Sequence, residues 1–433
     1  MRISKLLVSG CAGAASLIGW IGLAGCSGGS TALVVPAPTA ASGLPAPPTA
    51  STVNTYSGAQ SPGAWSLTLD NSKNTYSYQA ITFPSEPGAA SSGAIAATHG
   101  FKQLGSAGYA LEVMGRVAVL RPGGNTTPIV FAAPQTQCYA IGGRLRFQFI
   151  GMATAPNGAV GSAGPTNGYG SVVASTDTTG ASWQFQNLQG NMVNGPAYDP
   201  GTCATSGSQA VIQTAGNTVL NDLWPPNQEI QTGLPSGTKS NLWIGPSGFF
   251  VADQSLLGST PPSGASVAGF AEPTGPLDTF GLSSQLYLGF LYEPATTPYA
   301  GSSPSPALTV PVSFGQAGVT GSGLIGGVFP NDDVTQKATT DYAITLGTQD
   351  ATINGLYTKV SITVPDPAQN CANYLGAGET ATYGFNPDGT FSCTFPGVAI
   401  AGDPEGKYAV FVTTYNWAAQ LGGAPMQIYL FER

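Results

Sequence analysis

The chain has 433 residues, and only 8% of them are charged, against roughly 25% in an ordinary soluble domain. Apolar residues make up 42%, and 60 Gly with 35 Pro stay below the level of an unstructured chain, so the composition supports a packed body. With 13 basic residues, 21 acidic residues and one His, no basic surface for nucleic acid can be assembled.

The first element is a signal. Arg2 and Lys5 precede an uncharged stretch over residues 6–23, the order of a secretory leader. It ends in Leu23-Ala24-Gly25-Cys26, which resembles the bacterial lipobox, where a lipid thioether forms on the cysteine and cleavage precedes it. Cys26 is therefore the expected lipidation site, with residues 1–25 removed and Cys11 removed with them. Bacterial lipoproteins of this kind carry several fatty chains, and each buried methylene contributes about 0.8 kcal/mol, so the anchor should hold firmly. Ser27 follows the cysteine instead of Asp, which by resemblance to lipoprotein sorting points to the outer membrane. Loss of Arg2 and Lys5 takes the net charge from −8 to about −10, which disfavours docking on anionic lipid by charge.

Residues 26–53 hold the lipidated cysteine and a tether of Ser, Thr, Ala, Pro and Gly with a flexible-coil reach of roughly 30 Å. Beyond it the pattern has period two. Trp65, Leu67 and Leu69 alternate with Ser66 and Thr68, and Tyr76 and Tyr78 alternate with Thr75 and Ser77. The same holds for Phe147 and Phe149, Trp183 and Phe185, Val360 and Ile362, and Phe391, Cys393 and Phe395. Turn residues separate such runs at Asp70-Asn71-Ser72-Lys73-Asn74, Gly245-Pro246-Ser247-Gly248 and Asn386-Pro387-Asp388-Gly389. Short helical turns are expected only near residues 283–288 and 417–421. The predicted fold is mainly β: antiparallel barrel or sandwich modules with long Gly/Pro-rich loops and little helix. No repeat at propeller or solenoid spacing is visible. The Pro- and Ser-rich stretch over residues 293–306 and the region near Pro134 mark expected boundaries, giving β modules at 54–134, 135–310 and 311–433.

Four cysteines remain in the body: Cys138, Cys203, Cys371 and Cys393. An even count in an exported chain predicts two disulfides, and pairing within modules favours Cys138–Cys203 and Cys371–Cys393. No close ligand spacing favours a metal instead.

Several segments look familiar in their order: Ile244-Gly245-Pro246-Ser247-Gly248-Phe249-Phe250-Val251, Tyr287-Leu288-Gly289-Phe290-Leu291-Tyr292-Glu293-Pro294, and Phe329-Pro330-Asn331-Asp332-Asp333. Leu346-Gly347-Thr348-Gln349-Asp350, Asn354-Gly355-Leu356-Tyr357 and Gly406-Lys407-Tyr408-Ala409-Val410-Phe411-Val412 follow. With the lipobox, this order resembles a proteobacterial family of exported lipoproteins classed as a domain of unknown function. The resemblance spans most of the chain after the tether and implies no activity, so it supplies no catalytic residue.

Chemistry-bearing motifs are few. His99, in Thr98-His99-Gly100, has no Gly-x-Ser-x-Gly elbow to serve, and reads as a loop residue. Gly321-Ser322-Gly323-Leu324-Ile325-Gly326 matches a dinucleotide loop, but no helix can open on it. Asn331-Asp332-Asp333 offers calcium oxygens without an EF-hand's spacing. A carboxylate hydrolase would draw on glutamates such as Glu112, Glu229, Glu272 and Glu293. Trp224 and Trp243 are candidates for an exposed aromatic platform. The reading that emerges is a non-enzymatic lipoprotein anchored through Cys26 to the outer membrane, facing the periplasm or the cell surface. It needs no cofactor or metal, and its partner would be an envelope protein or glycan. A carbohydrate-active hydrolase and a surface adhesin or assembly subunit are the alternatives.

Overall fold

The computed structural model describes residues 51–433, apart from residues 60–62, 83–89, 106–107, 114, 123–127, 133–144, 155–165, 177–180, 188–192, 195–198, 207–208, 216–238, 246–247, 257–262, 294–307, 317–322, 366–381, 386–389, 404–405 and 415–425. The expected signal peptide, Cys26 and the expected tether up to residue 50 lie outside the described residues, as does the expected helical turn at 417–421.

The fold is mainly β, as the period-two pattern requires, and its antiparallel sheets form barrels. The first sheet holds β1 (Val53–Ala59), β2 (Ala64–Asp70), β3 (Thr75–Ala80), β4 (Ala90–Ala94), β5 (Ala96–Thr98), β6 (Phe101–Gln103), β7 (Gly108–Val113), β8 (Val117–Pro122) and β9 (Ile129–Ala132). Neighbours in sequence pair except β4 and β5, and β1 also pairs with β9. The ends of the sheet order, β4 and β5, follow one another across Ile95, so the sheet comes round on itself as barrel 1.

The second sheet holds β10 (Leu145–Thr154), β11 (Thr166–Thr176), β12 (Ala181–Asn187), β13 (Val193–Asn194), β14 (Asp199–Ser206), β15 (Gln209–Ala215), β16 (Lys239–Ile244), β17 (Phe249–Leu256) and β18 (Ser263–Ala271). Because β10 pairs with β11 and β18 while β12 pairs with β11 and β14, barrel 2 is a closed up-and-down barrel, with β13 added on β12. The third sheet holds β19 (Tyr287–Glu293), β20 (Leu308–Gln316), β21 (Gly323–Val328), β22 (Tyr342–Thr345), β23 (Leu356–Pro365), β24 (Thr382–Phe385), β25 (Phe391–Gly402), β26 (Ala409–Thr414) and β27 (Gln427–Glu432). It closes through β19–β27 and β23–β25 into barrel 3, with β24 added on β25.

Two expectations need correction. Glu293 pairs with Leu308, so residues 294–307 connect two paired strands of barrel 3. The third module therefore begins at Tyr287, ahead of residue 311. The helical turn expected over 283–288 instead occupies α1 (Thr279–Ser283), because Asp278 caps it by accepting from the Phe280 amide at 3.0 Å, and Tyr287 already belongs to β19.

Turns behave as their residues dictate. Asp70 Oδ1 accepts from the Ser72 amide at 3.0 Å, the Lys73 amide at 3.0 Å and the Ser72 hydroxyl at 2.6 Å, and Asn74 takes a left-handed φ of 51°. These bonds hold the Asp70 carboxyl below the usual carboxylate range, the Ser72 hydroxyl contributing most.

Strands with one wet face alternate strictly; β3 runs exposed, buried, exposed along its length. Trp65, Leu67 and Leu69 of β2 join Tyr76, Tyr78 and Phe131 inside barrel 1. Val310, Val312 and Phe314 of β20 join Ile362 and Val364 of β23 inside barrel 3. An eight-stranded interior is just wide enough for such side chains to fill it. Other strands are buried on both faces: β8, β9 and β26 bury every residue. Their second face enters one apolar junction where all three barrels meet, with Val119, Val251, Phe270, Phe290, Phe411 and Phe431 among its members. Each such aromatic contributes about 1.5–3 kcal/mol on burial. Where first and last strands close a barrel the backbones approach too nearly for a side chain: a Cβ on Gly289 would lie 1.8 Å from the Tyr429 oxygen, and one on Gly269 1.7 Å from that of Gln148.

Candidate functional site

Among the described residues, a dense polar cluster fills one end of barrel 1. Its members come from separate strands and turns: Asn54 and Tyr56 on β1, Asn71 after β2, Lys102 on β6 and Glu112 on β7. Alternation turns the strand residues among them inward, and Asn71 reaches them from its turn. Glu112 Oε1 accepts from Asn54 Nδ2 at 2.7 Å and from the Tyr56 hydroxyl at 2.5 Å. Glu112 Oε2 accepts from Asn71 Nδ2 at 3.3 Å and pairs with Lys102 Nζ at 3.3 Å. Lys102 Nζ also donates to Asn71 Oδ1 at 2.7 Å. Burial first, and then the Glu112 charge, push the Tyr56 phenol far above its ordinary range. An ionised carboxylate offers about four acceptor positions, and here protein donors take them. The arrangement plugs a barrel end and leaves Glu112 poorly placed to move a proton for a substrate.

The other glutamates are elsewhere. Glu272 follows β18; its Oε1 accepts from the Asn354 amide at 3.0 Å and its Oε2 pairs with Arg146 Nη1 at 3.5 Å. Glu293 ends β19 inside barrel 3, where Tyr342 donates to its Oε1 at 3.2 Å. Glu229 lies outside the described residues. Glu112 and Glu293 thus face the interiors of different barrels, and Glu272 sits between barrels 2 and 3, so these three do not flank one bond as a glycosidase pair would.

Desolvation raises the Glu293 carboxyl above its ordinary value. A carboxyl that is harder to ionise folded than unfolded takes stability away as pH rises through the gap between its unfolded and folded pKa values. Glu293→Gln keeps an acceptor for Tyr342 and cannot ionise. It is expected to stabilise the protein at pH 7 and to match the wild type near pH 3.5; urea melts at the two pH values check this.

The remaining sequence candidates resolve as structural parts. His99 is exposed at φ 48° in the tight turn joining β5 to β6. Gly323 opens β21, a strand paired on both sides, so the glycine-rich run continues into a strand where a dinucleotide loop needs a helix. Asp332 pairs with Arg121 of barrel 1. Asp333 Oδ1 accepts from the Thr335 amide at 3.0 Å and hydroxyl at 2.6 Å, while Gln336 Nε2 donates to its Oδ2 at 3.0 Å. These bonds, the Thr335 hydroxyl first, hold the Asp333 carboxyl below its usual range. Among the described residues no three His, Cys, Asp or Glu side chains gather as a metal would need. Trp243 is buried in the junction, so it offers no exposed platform, and Trp224 lies outside the described residues. Cys203 sits on β14 and Cys393 is fully buried on β25; Cys138 and Cys371 lie outside the described residues.

Sequence reading missed the junction. Its signal was the unbroken apolar run, as at residues 117–120, 249–252 and 409–412, which alternation analysis passes over because both faces are buried. Compared with family models, curated proteins and solved structures, the chain matches none at a significant level.

Proposed function

We propose that the protein is a lipid-anchored envelope protein that binds or braces a partner and carries out no chemistry of its own. The observation that supports this most directly is the filling of barrels 1 and 3 by their own side chains, with Tyr56, Phe131, Phe314 and Tyr357 fully buried, so that on these two barrels binding falls to the outer faces. Apart from the Glu112 cluster at one end, barrel 1 is apolar inside and carries Ser66, Thr68, Thr75 and Ser77 outside, the reverse of a membrane-spanning barrel, which suits a body standing in water. Among the described residues no helix is long and apolar enough to cross a membrane. Closed sheets leave few strand edges for strand addition, which favours recognition by faces over an adhesin built on an exposed edge. The partner class is an envelope protein or glycan, and the anchor is the thioether lipid on Cys26 at the outer membrane. The lipobox at Cys26 and the motif order support reading the chain as one of the exported lipoproteins of unknown function that it resembles.

Cells fed radiolabelled palmitate are expected to label the wild type and not Cys26→Ala, and the variant is expected to leave the membrane fraction. Label persisting in the variant overturns the anchor. Arrayed glycans and envelope proteins are expected to capture the mature body; failure to bind any of them overturns the recognition half. We also propose the cystines Cys138–Cys203 and Cys371–Cys393. Peptide mapping without reduction is expected to yield these two cross-linked peptides and neither alternative pairing.

A further inference from the structure

The three barrels meet in a repeating way. Barrel 1 sets β1 and β9 against β17 and β18 of barrel 2; barrel 2 sets β10 and β18 against β25 and β26 of barrel 3; barrel 3 sets β19 against β8 of barrel 1. In each seam the strand where one barrel begins, joined in the first two seams by its last strand, faces the penultimate strand of the next barrel or a strand beside it. The junction residues repeat with this order. Penultimate strands contribute Val117 and Val119, Phe249 and Val251, and Ala409 and Phe411; last strands contribute Val130 and Ala132, Ala268 and Phe270, and Tyr429 and Phe431. A head-to-tail contact that returns to its start after three steps is a closed ring. Within one chain, consecutive barrels are connected directly at two of the seams. The third, between barrels 3 and 1, joins no consecutive segments and is held by non-covalent contacts.

That third seam has a distinct construction. Phe101 stands edge-on to Phe290 at 5.6 Å and to Phe329 at 5.8 Å. Gly100 lies flush on Leu288, whose Cδ1 would be 2.5 Å from a Cβ there. Arg121 of β8, only 8% exposed, reaches Asp332, while its Nε finds no acceptor among the described residues. Asn331 and Asp332 both take left-handed backbone, at φ 54° and 59°, to present that carboxylate. Tyr109, Asp333 and His99 are the other titratable groups around the pair. Barrels 2 and 3 are joined by further polar stitches: Gln148 Nε2 to the Asn354 oxygen, Glu272 to the Asn354 amide and Gln427 Nε2 to the Gly151 oxygen at 3.2 Å.

We infer that the body is a covalent pseudo-trimer whose barrel 3–barrel 1 seam is a clasp, with Arg121–Asp332 as its latch, and that barrel 1 parts from barrel 3 as a folded unit while its seam with barrel 2 serves as the hinge. Opening bares Phe290 and Phe329 on barrel 3 and Phe101 on barrel 1. Removing the Asp332 charge strands Arg121 in an apolar seam, which favours the open form.

The test uses the mature chain with donor and acceptor dyes on unnatural residues replacing the exposed Ser77 of barrel 1 and Thr345 of barrel 3. Single-molecule energy transfer is expected to show one high-transfer population in the wild type. Asp332→Asn is expected to raise a low-transfer population by at least about tenfold with the strand circular dichroism unchanged. Replacing both partners with apolar residues, Arg121→Met with Asp332→Leu, is expected to restore the high-transfer state. An unchanged distribution in Asp332→Asn overturns the latch, and so does failure of the double variant to restore closure. Should Asp332→Asn not fold, wild-type protein in graded urea decides. Transfer lost before circular dichroism supports release of a folded barrel, and simultaneous loss overturns it.

Discussion

Phe411→Ala is expected to cost about 3–5 kcal/mol, the range for emptying a fully buried phenylalanine site. Phe411 points away from the interior of barrel 3 into the junction, with ring centroids of Tyr429 at 5.0 Å, Phe270 at 5.1 Å and Phe431 at 5.5 Å around it. Phe270 belongs to barrel 2, so the truncation opens a void between barrels as well as beside one. The neighbouring walls are closed sheets, which collapse poorly onto a void, and that puts the cost toward the upper end. Calorimetry is expected to show a lower melting temperature. Phe280→Ala, at a position 59% exposed on α1, is the control and should move stability by less than about 0.5 kcal/mol. Equal effects at the two positions would mean that the junction contributes nothing special.

Glu112→Ala should be of similar size, for an electrostatic reason. The Glu112 side chain is 8% exposed and that of Lys102 is 22% exposed. Removing the carboxylate leaves a half-buried ammonium without its counter-charge and takes the acceptor from the Tyr56 hydroxyl, so a loss of about 3–5 kcal/mol is expected in urea melts. Glu112→Gln keeps the shape and two acceptor positions, and should lose less. Glu112→Ala combined with Lys102→Met should recover part of the loss, because the stranded charge has gone. A double variant no better than the single one would show that the lost hydrogen bonds, and not the charge, set the cost.

The solvent-facing strands were legible because water enforces alternation: Tyr76 and Tyr78 bury their rings while Thr75 and Ser77 stay wet. The same rule hid the junction strands. A residue such as Val119 faces the other barrels while its neighbour Leu120 fills barrel 1, so both are apolar and the period vanishes. The threefold repetition was hidden too, since loops of unequal length separate equivalent strands and leave no fixed sequence period. Proline and serine over residues 293–306 read as a module boundary, yet Glu293 pairs with Leu308 within barrel 3, and a connection between two paired strands shares its composition with a linker between modules. The cluster around Glu112 was out of reach for a different reason. Asn54, Asn71, Lys102 and Glu112 meet only once barrel 1 has closed, and nothing in their spacing announces it.

The pairing of first and last strands has a consequence for biogenesis. Barrel 1 can seal as soon as Ala132 has left the ribosome or translocation channel, because β9 is the last strand it needs. At that moment Val117, Val119, Val130 and Ala132 form a bare greasy flank on an otherwise finished object, awaiting a neighbour not yet delivered. Such nascent intermediates are prone to stick to one another, so slow delivery of the downstream sequence should favour clumping, and a holdase covering that flank should relieve it.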